Sequence, residues 1–371
     1  MKTRRILISC ILMVVLIPTI DAKPVLIGFN DKIDQNVIKE HGISHYIQYS
    51  IINAISTDIP ESASKILKKH PKIKYIENDV KIQIAGKPSK PAPSQPLQQI
   101  TWGIARVKAP KTWDNSTGNN VKIAVLDTGI SSTHPDLTVS GGINLVGTSR
   151  NSRWSDDNGH GTLVSGIIAA RNNSIGVVGV APNAQLFAVK VLDTYGNGYI
   201  SDVIEGIDWA VQNNMDIVSM SLGTRTYSQA LNDTMANSYK MGILLVAAAG
   251  NSGDGNLSTD DVLYPAKFDS VIAVSAIDYN NIASVWSAGG AKVELAAPGV
   301  DIYSTWINDG YANASGTSMA TPFVSGVAAL IKSKNISLSS KEIRNVLAYN
   351  AVDLGDAGQD RIYGFGLVQA D

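Results

Sequence analysis

The sequence predicts an α/β protein: a mainly parallel sheet flanked by helices on both faces, preceded by a small α+β unit. Two observations carry this. From Trp102 onward, continuous apolar runs such as Val121–Leu126 alternate with stretches of helical periodicity. Strands apolar on both faces belong to parallel sheets that are covered on both sides. Upstream, residues 24–85 follow a different rhythm, reading strand, helix, strand pair, helix, strand. Of the 371 residues 44% are hydrophobic and 17% charged, with 32 glycines, which suits a large core joined by tight turns.

Taken in order, the chain opens with Lys2, Arg4 and Arg5, an apolar run from Ile6 to Ile20, and Asp21-Ala22. This predicts a secretory signal over residues 1–22 and a secreted product, with a retained anchor as the alternative. The run contains Pro18 and is short for a membrane span. The single cysteine, Cys10, falls in it, so the mature chain would have no disulfide, and bound metal is a natural substitute staple.

Residues 23–85 form the small unit. Val25–Phe29 reads as a strand, Ile33–His41 as a helix and His45–Ile55 as a strand pair. Pro60–His70 reads as a helix begun by proline, and Ile73–Ile84 as one strand. The β-α-β-β-α-β order is the ferredoxin-like pattern. Residues 86–96 hold four prolines in eleven positions and read as an extended, protease-accessible linker.

Residues 97–371 read as one large domain. Its further strands are Leu186–Leu192, Ile217–Leu222, Ile243–Ala248 and Val271–Ala276. Helices fall near 160–170, 200–213 and 227–240, and Phe323–Ile331 is apolar enough to be a buried helix. Residues 23–85 carry nine Lys/Arg against seven Asp/Glu, and residues 97–371 carry 17 against 24. A basic leader on an acidic body argues against a nucleic-acid partner and favours association of the two parts.

In parallel sheets, sites form at the carboxyl ends of strands. Asp127, in Asp127-Thr128-Gly129, and Asn251, in Gly250-Asn251-Ser252-Gly253, both lie on that rim. Ser318, in Gly316-Thr317-Ser318-Met319-Ala320-Thr321-Pro322, opens the buried helix. There, free N–H groups favour a nucleophile that turns anionic. A plain N-cap is the alternative. His160, in Asn158-Gly159-His160-Gly161-Thr162, also opens an apolar helix. Of five histidines only His134 and His160 lie in the body, and the Ser/Thr-rich turn around His134 is a poor place for a buried base. A serine hydroxyl needs a neutral imidazole to take its proton and a carboxylate to fix that imidazole's tautomer. An Asn amide on a glycine-flanked turn can serve an oxyanion, although such a residue is also common in turns for its backbone alone.

The three signatures around Asp127, His160 and Ser318, in that order, resemble those of the subtilisin-like serine proteases, the subtilase family. Trp102–Pro110, Asn172–Pro182 and Ser221–Gly223 match as well, so the resemblance covers residues 24–371. It implies a secreted endopeptidase made with an inhibitory propeptide over residues 23–85. Ser318 would be the nucleophile, His160 the base and Asp127 its orienting carboxylate, with Asn251 and the Ser318 N–H as oxyanion hole. Leu163 departs from the family, which commonly has histidine there, and should pack instead of reacting.

Extended polypeptide substrates would pair with Ser221-Leu222-Gly223 and Gly196-Asn197-Gly198, and Ala248-Ala249-Gly250 would wall the first pocket. Leu263 stands where the family often has glycine, implying a shallower pocket for small or medium apolar residues. The resemblance implies that the chain's first substrate is itself, cut between Ala85 and Gly86, with Ile82 in the fourth pocket. It also implies a structural Ca²⁺ held by side chains of Gln98, Asp136 and Asn173 and carbonyls of Arg171, Ile175 and Val177. A weaker site would use the carbonyls of Ala266, Phe268 and Val271. The enzyme would act as a monomer, its propeptide serving as inhibitor and chaperone.

Other chemistries fit less well. Aspartic-protease action needs a second Asp-Thr-Gly, which the chain lacks. The hydrolase elbow Gly-x-Ser-x-Gly is broken at Ala320. A catalytically silent binding protein on the same fold is the rival of a different class, and should have lost one of the four residues.

Overall fold

The computed structural model describes residues 22–88, 95–147, 153–256 and 258–371. The expected signal lies outside the described residues apart from Ala22, as do residues 89–94 of the expected linker. Among the described residues, no helix is long and apolar enough to cross a membrane.

The leader runs Ala22–Phe29 (β1), Gln35–Glu40 (α1), Ile47–Gln48 (β2), Ala54–Pro60 (β3), Glu61–Leu67 (α2) and Ile73–Asn78 (β4). Its sheet is ordered β2-β3-β1-β4 with β1 paired antiparallel to both β3 and β4, which is the ferredoxin-like arrangement. Asp34 starts α1 by accepting from the N–H groups of Asn36 and Val37. Three details differ from the sequence reading. Residues 49–53 are a turn and not strand, because Tyr49, Ile51 and Ile52 bury themselves against the body. Pro60 closes β3 and occupies the N-cap position of α2 instead of its first turn. The expected strand Ile73–Ile84 breaks after Asn78, and its second half, Lys81–Ile84 (β5), leaves the leader sheet to pair with the body.

After Lys87–Pro88 (β6), the body contributes Trp102–Arg106 (α3), Lys122–Asp127 (β7), Val139–Asn144 (β8), His160–Ala169 (α4) and Gln185–Lys190 (β9). Asn197–Tyr199 (β10), Ile200–Gln212 (α5), Ile217–Met220 (β11), Leu222–Gly223 (β12), Gln229–Lys240 (α6) and Leu244–Ala248 (β13) follow. The chain ends with Val271–Ile277 (β14), Val293–Pro298 (β15), the hairpin Ile302–Trp306 (β16) and Gly310–Ser315 (β17), Thr317–Lys334 (α7) and Ser340–Asn350 (α8).

Seven strands form a parallel sheet in the order β15-β14-β13-β11-β7-β9-β8. Side-chain alternation sends Ile123, Val125, Leu186, Leu244 and Val246 to the face covered by α4, α7 and α8. Ala124, Leu126, Val189, Val218 and Leu245 go to the face covered by α5 and α6. Helix α7 is buried from Thr317 to Ile331, which holds its N-terminus rigidly at the sheet's carboxyl rim. β8 went unforeseen because Val139-Ser140-Gly141-Gly142 lacks the apolar density of an interior strand. It is one of the sheet's two edge strands, and none of its residues is fully buried.

Candidate active site

Asp127 is the last residue of β7 and His160 the first of α4, and both are fully buried. The Nδ1 of His160 lies 2.8 and 2.9 Å from the two carboxylate oxygens of Asp127. Gly159 lets α4 begin there, since its φ is +111° and a Cβ would collide with the Trp306 ring. The loop is pinned by Asp156, which accepts from Thr128 Oγ1, the N–H groups of Asn158 and Gly159, and both the N–H and hydroxyl of Thr162. Sequence reading missed Asp156, although a carboxylate just ahead of a helix start is a capping signal.

Ser318 sits in the first turn of α7 and is fully buried. Its Oγ donates to the Ser221 carbonyl at 3.0 Å, while the Ser221 hydroxyl donates to the Ser318 carbonyl at 2.8 Å. His160 Nε2 is buried and has no hydrogen-bond partner among the described residues. Asn251 follows β13, and its Oδ1 accepts from the N–H and hydroxyl of Thr317, each at 2.9 Å. This fixes the amide so that Nδ2 points away from Thr317, to the carbonyl oxygen of Ala85. Thr317 is a further residue missed in the sequence, and its adjacency to Ser318 was the available signal. The Ser318 N–H reaches the same Ala85 oxygen at 3.2 Å. Gly316 is needed beside it, because a Cβ there would come within 2.7 Å of that oxygen and 3.0 Å of Asn251 Nδ2.

Strand β5 brings Ala85 to this point. It lies between β10 and β12 in an antiparallel three-stranded sheet, with Gln83 opposite Asn197 and Gly223, Ile82 opposite Gly198, and Ile84 opposite Leu222. The Ile84 N–H donates to Gly196 at 3.0 Å and the Ala85 N–H to Ser221 at 3.2 Å. Beyond Ala85, Gly86 passes over Ser318, and β6 pairs with β17. A cleft beside Ala85 is bounded by Gly223, Asn251, Ser252 and Leu263. The Leu263 side chain lies against both Gly223 and Gly250, and its N–H donates to Ala249, which with Ala248 is fully buried behind it.

A model of the subtilase family matches residues 118–366. Subtilisin E of Bacillus subtilis (strain 168) is 44% identical over 335 residues, spanning 90% of this chain and 84% of that protein. An alkaline protease of Alkalihalobacillus alcalophilus is 43% identical over 325 residues, 87% of this chain and 80% of its own. The chain belongs to the subtilase family. This subtilase is accordingly a serine endopeptidase, a hydrolase acting on polypeptides. Its similarity to the minor extracellular protease Epr of the same Bacillus strain is 40% over 352 residues. That alignment covers 94% of this chain but 54% of Epr, so the chain spans about half the length of that relative.

Elsewhere in the subtilase, the residues expected to hold calcium come together. Asp136 is fully buried and accepts from Asn173 Nδ2 at 2.8 Å, the Val177 N–H at 2.9 Å and the Tyr311 hydroxyl at 3.2 Å. Burial pushes its carboxyl above the ordinary value, with those donors opposing. Gln98 Nε2 reaches the Arg171 carbonyl at 2.9 Å, and the Gln98 backbone pairs with Ser174 beside the Leu97–Ile175 bridge. At the second expected site, Arg344 already sets its guanidinium against the Asp269 and Val271 carbonyls, so a positive charge is built in. His134, expected to be poorly placed for burial, is in fact buried, because Nδ1 accepts from the Asp136 N–H while Nε2 bonds Gly310. Leu163 packs in the core.

Proposed function

We propose that this subtilase is a secreted, self-processed zymogen working through a triad of Asp127, His160 and Ser318. The observation that carries the reading is the Ala85 carbonyl oxygen, held jointly by the Ser318 N–H and Asn251 Nδ2 while Gly86 crosses the hydroxyl. Donors that meet a scissile carbonyl in this way are placed for the charge it gains on attack.

In the proposed reaction, Ser318 Oγ leaves the Ser221 carbonyl and passes its proton to His160 Nε2 as it adds to the carbonyl carbon. Asp127 stabilises the resulting imidazolium, and Asn251 with the Ser318 N–H holds the oxyanion. The C–N bond then breaks with transfer of the His160 proton to the leaving nitrogen, which is that of Gly86 in maturation. Water, deprotonated by His160, releases the acyl group. Residues 1–22 are the signal, 23–85 the inhibitory and chaperoning propeptide, 86–96 the linker and 97–371 the monomeric peptidase. Substrates take the path of β5 between Gly196–Gly198 and Ser221–Gly223, with Leu263 limiting the first pocket to small or medium apolar side chains.

Expression of wild type beside Ser318→Ala, with N-terminal sequencing and casein digestion, tests the reading. Wild type should be cut after Ala85 and the variant should stay whole and inert. A variant processed like wild type would sink self-cleavage. On a peptide panel, best turnover at P1 Phe or Tyr would reject the pocket assignment.

The donor set around Asp136 would suit Ca²⁺ once the amides of Gln98 and Asn173, which here present nitrogen, turn their oxygens inward: one carboxylate, two amide oxygens and three carbonyls, beside a carboxyl whose burial disfavours lone charge. Gln98, Asp136, Arg171, Asn173, Ile175 and Val177 would hold the ion, whose role is to fasten the 96–99 segment to the 171–177 loop. Chelator should lower Tm, and an unchanged Tm would count against the site.

A further inference from the structure

Lys190 is a buried cation that the reaction above does not use. It ends β9 directly opposite Asp127 in the parallel register, and is 4% exposed. Its Nζ donates to three oxygens: the Thr128 carbonyl at 2.6 Å, Asp157 Oδ1 at 2.7 Å and the Leu192 carbonyl at 3.1 Å. Withdrawing an ammonium from water is costly, and a hydrophobic residue of similar volume would often serve stability as well. The placement of the three acceptors is therefore informative.

Each acceptor lies on a different working segment. Thr128 follows the carboxylate that holds the base, and its N–H donates to Asp127 Oδ1 at 2.7 Å. Its hydroxyl accepts from the Gly161 N–H, one residue past His160. Asp157 lies in the loop that turns into α4. Leu192 leads into β10, the edge that pairs with β5. The last two segments are also stitched directly, Asn158 Nδ2 to the Thr194 carbonyl at 2.9 Å and Thr194 Oγ1 to the Asp157 carbonyl at 3.0 Å. The ionisable groups facing this knot are Asp127 on β7, Asp156, Asp157 and His160 around the start of α4, and Asp193 beyond Leu192.

We propose that Lys190 is a positioning residue that locks the Asp127–His160 pair in register with the substrate-binding edge β10. This rests on the triad reading above. Its test compares Lys190→Met and Lys190→Arg in the full-length chain, with turnover counted per site titrated by an organophosphonate at Ser318. Lys190→Met should lose about ten- to hundredfold in kcat per titrated site with KM nearly unchanged, since small misplacement of a catalytic pair is paid in rate. Lys190→Arg should keep most of kcat.

Unchanged kcat per titrated site would overturn the proposal, even if yield or Tm fell. Should Lys190→Met give no titratable enzyme, Asp157→Ala decides, because it removes only the exposed end of the clamp. A loss of roughly threefold supports the role, and no loss overturns it. Failure of the organophosphonate to label wild type would instead strike the triad reading itself.

Discussion

The leader touches the body along a strand and across a sheet face, and the two contacts are made of different groups. Along β5 the bonds are backbone to backbone, from Gly196, Ser221 and the paired residues of β10 and β12. Across the face side chains carry most of the bonds, carboxylates foremost, beside Asn237 Nδ2 donating to the Ile51 carbonyl at 2.8 Å and the apolar packing of Tyr49, Ile51 and Ile52. Glu77 accepts from the Ser228 hydroxyl and the N–H groups of Gln229 and Ala230 at the start of α6, and Asp79 accepts from the Ser201 N–H in the first turn of α5. In return, Asp208 of α5 accepts from the N–H groups of Ser50 and Ile51 and the Ser50 hydroxyl. Any extended peptide can reproduce the strand contact, as the proposed substrate path requires. Only this leader supplies the face contact. A leader cut after Ala85 would therefore remain docked through its face while its last strand competes with substrates for the cleft.

The comparison is sharpened most at the strand end. Asn251→Ala removes one of two donors to the Ala85 oxygen, so maturation and casein turnover should slow together by about 10²–10³, the scale known for the equivalent donor of subtilisin. Leader docking across the face should not change, because Asn251 touches only the strand end. A variant that matures normally but digests casein slowly would separate the two and break the idea of one site serving both.

How much of this was legible in the sequence follows the same division. The rim residues Asp127, His160, Asn251 and Ser318 were readable because strand ends and helix starts fall at sharp changes of texture, from apolar run to glycine turn. What joins them was not. Thr317, Asp156 and Lys190 act through hydrogen bonds to groups up to 67 positions away, and no local pattern encodes such partners. In the leader, the order of elements was legible but the fate of Ile73–Ile84 was not. Its alternation changes phase between Tyr75 and Val80, and within that gap Asp79 is drawn to the start of α5 and the chain changes sheets. The buried turn at Tyr49–Asn53 was read as strand for the same reason: its apolar residues serve the body's core and not the leader's own sheet.

A smaller effect is expected at the face. Glu77→Gln keeps the size of the side chain but discards the charge that faces the α6 N-terminus, where the helix dipole favours an anion. Charge-assisted bonds exceed neutral ones, so docking should weaken by about 1–2 kcal/mol. Melting of the Ser318→Ala precursor, which cannot cut itself, would read this as a lowered midpoint for the leader. The backbone pairing along β5 should persist, and a midpoint equal to that of the parent would mean that the Glu77 charge contributes nothing to docking.

Smallest and most diagnostic is the pH dependence at Asp79. Burial pushes its carboxyl above the ordinary value, and the nearby Asp58 and Glu77 add to the rise, while the Ser201 bonds oppose it. In the docked leader Asp79 thus binds a proton more readily than in the unfolded chain. Its contribution is fully present below the ordinary carboxylate value, and it fades as pH rises through the raised, docked value. Backbone pairing along β5 has no such titration, so any slope of this sign belongs to the face. The Ser318→Ala precursor should therefore lose leader stability as pH rises above the ordinary carboxylate value, in proportion to Asp79 ionisation, and Asp79→Asn should flatten that part of the curve. The comparison needs only the difference between the two melting series, since every other titrating carboxylate is common to both. Identical slopes would show that Asp79 is docked without cost.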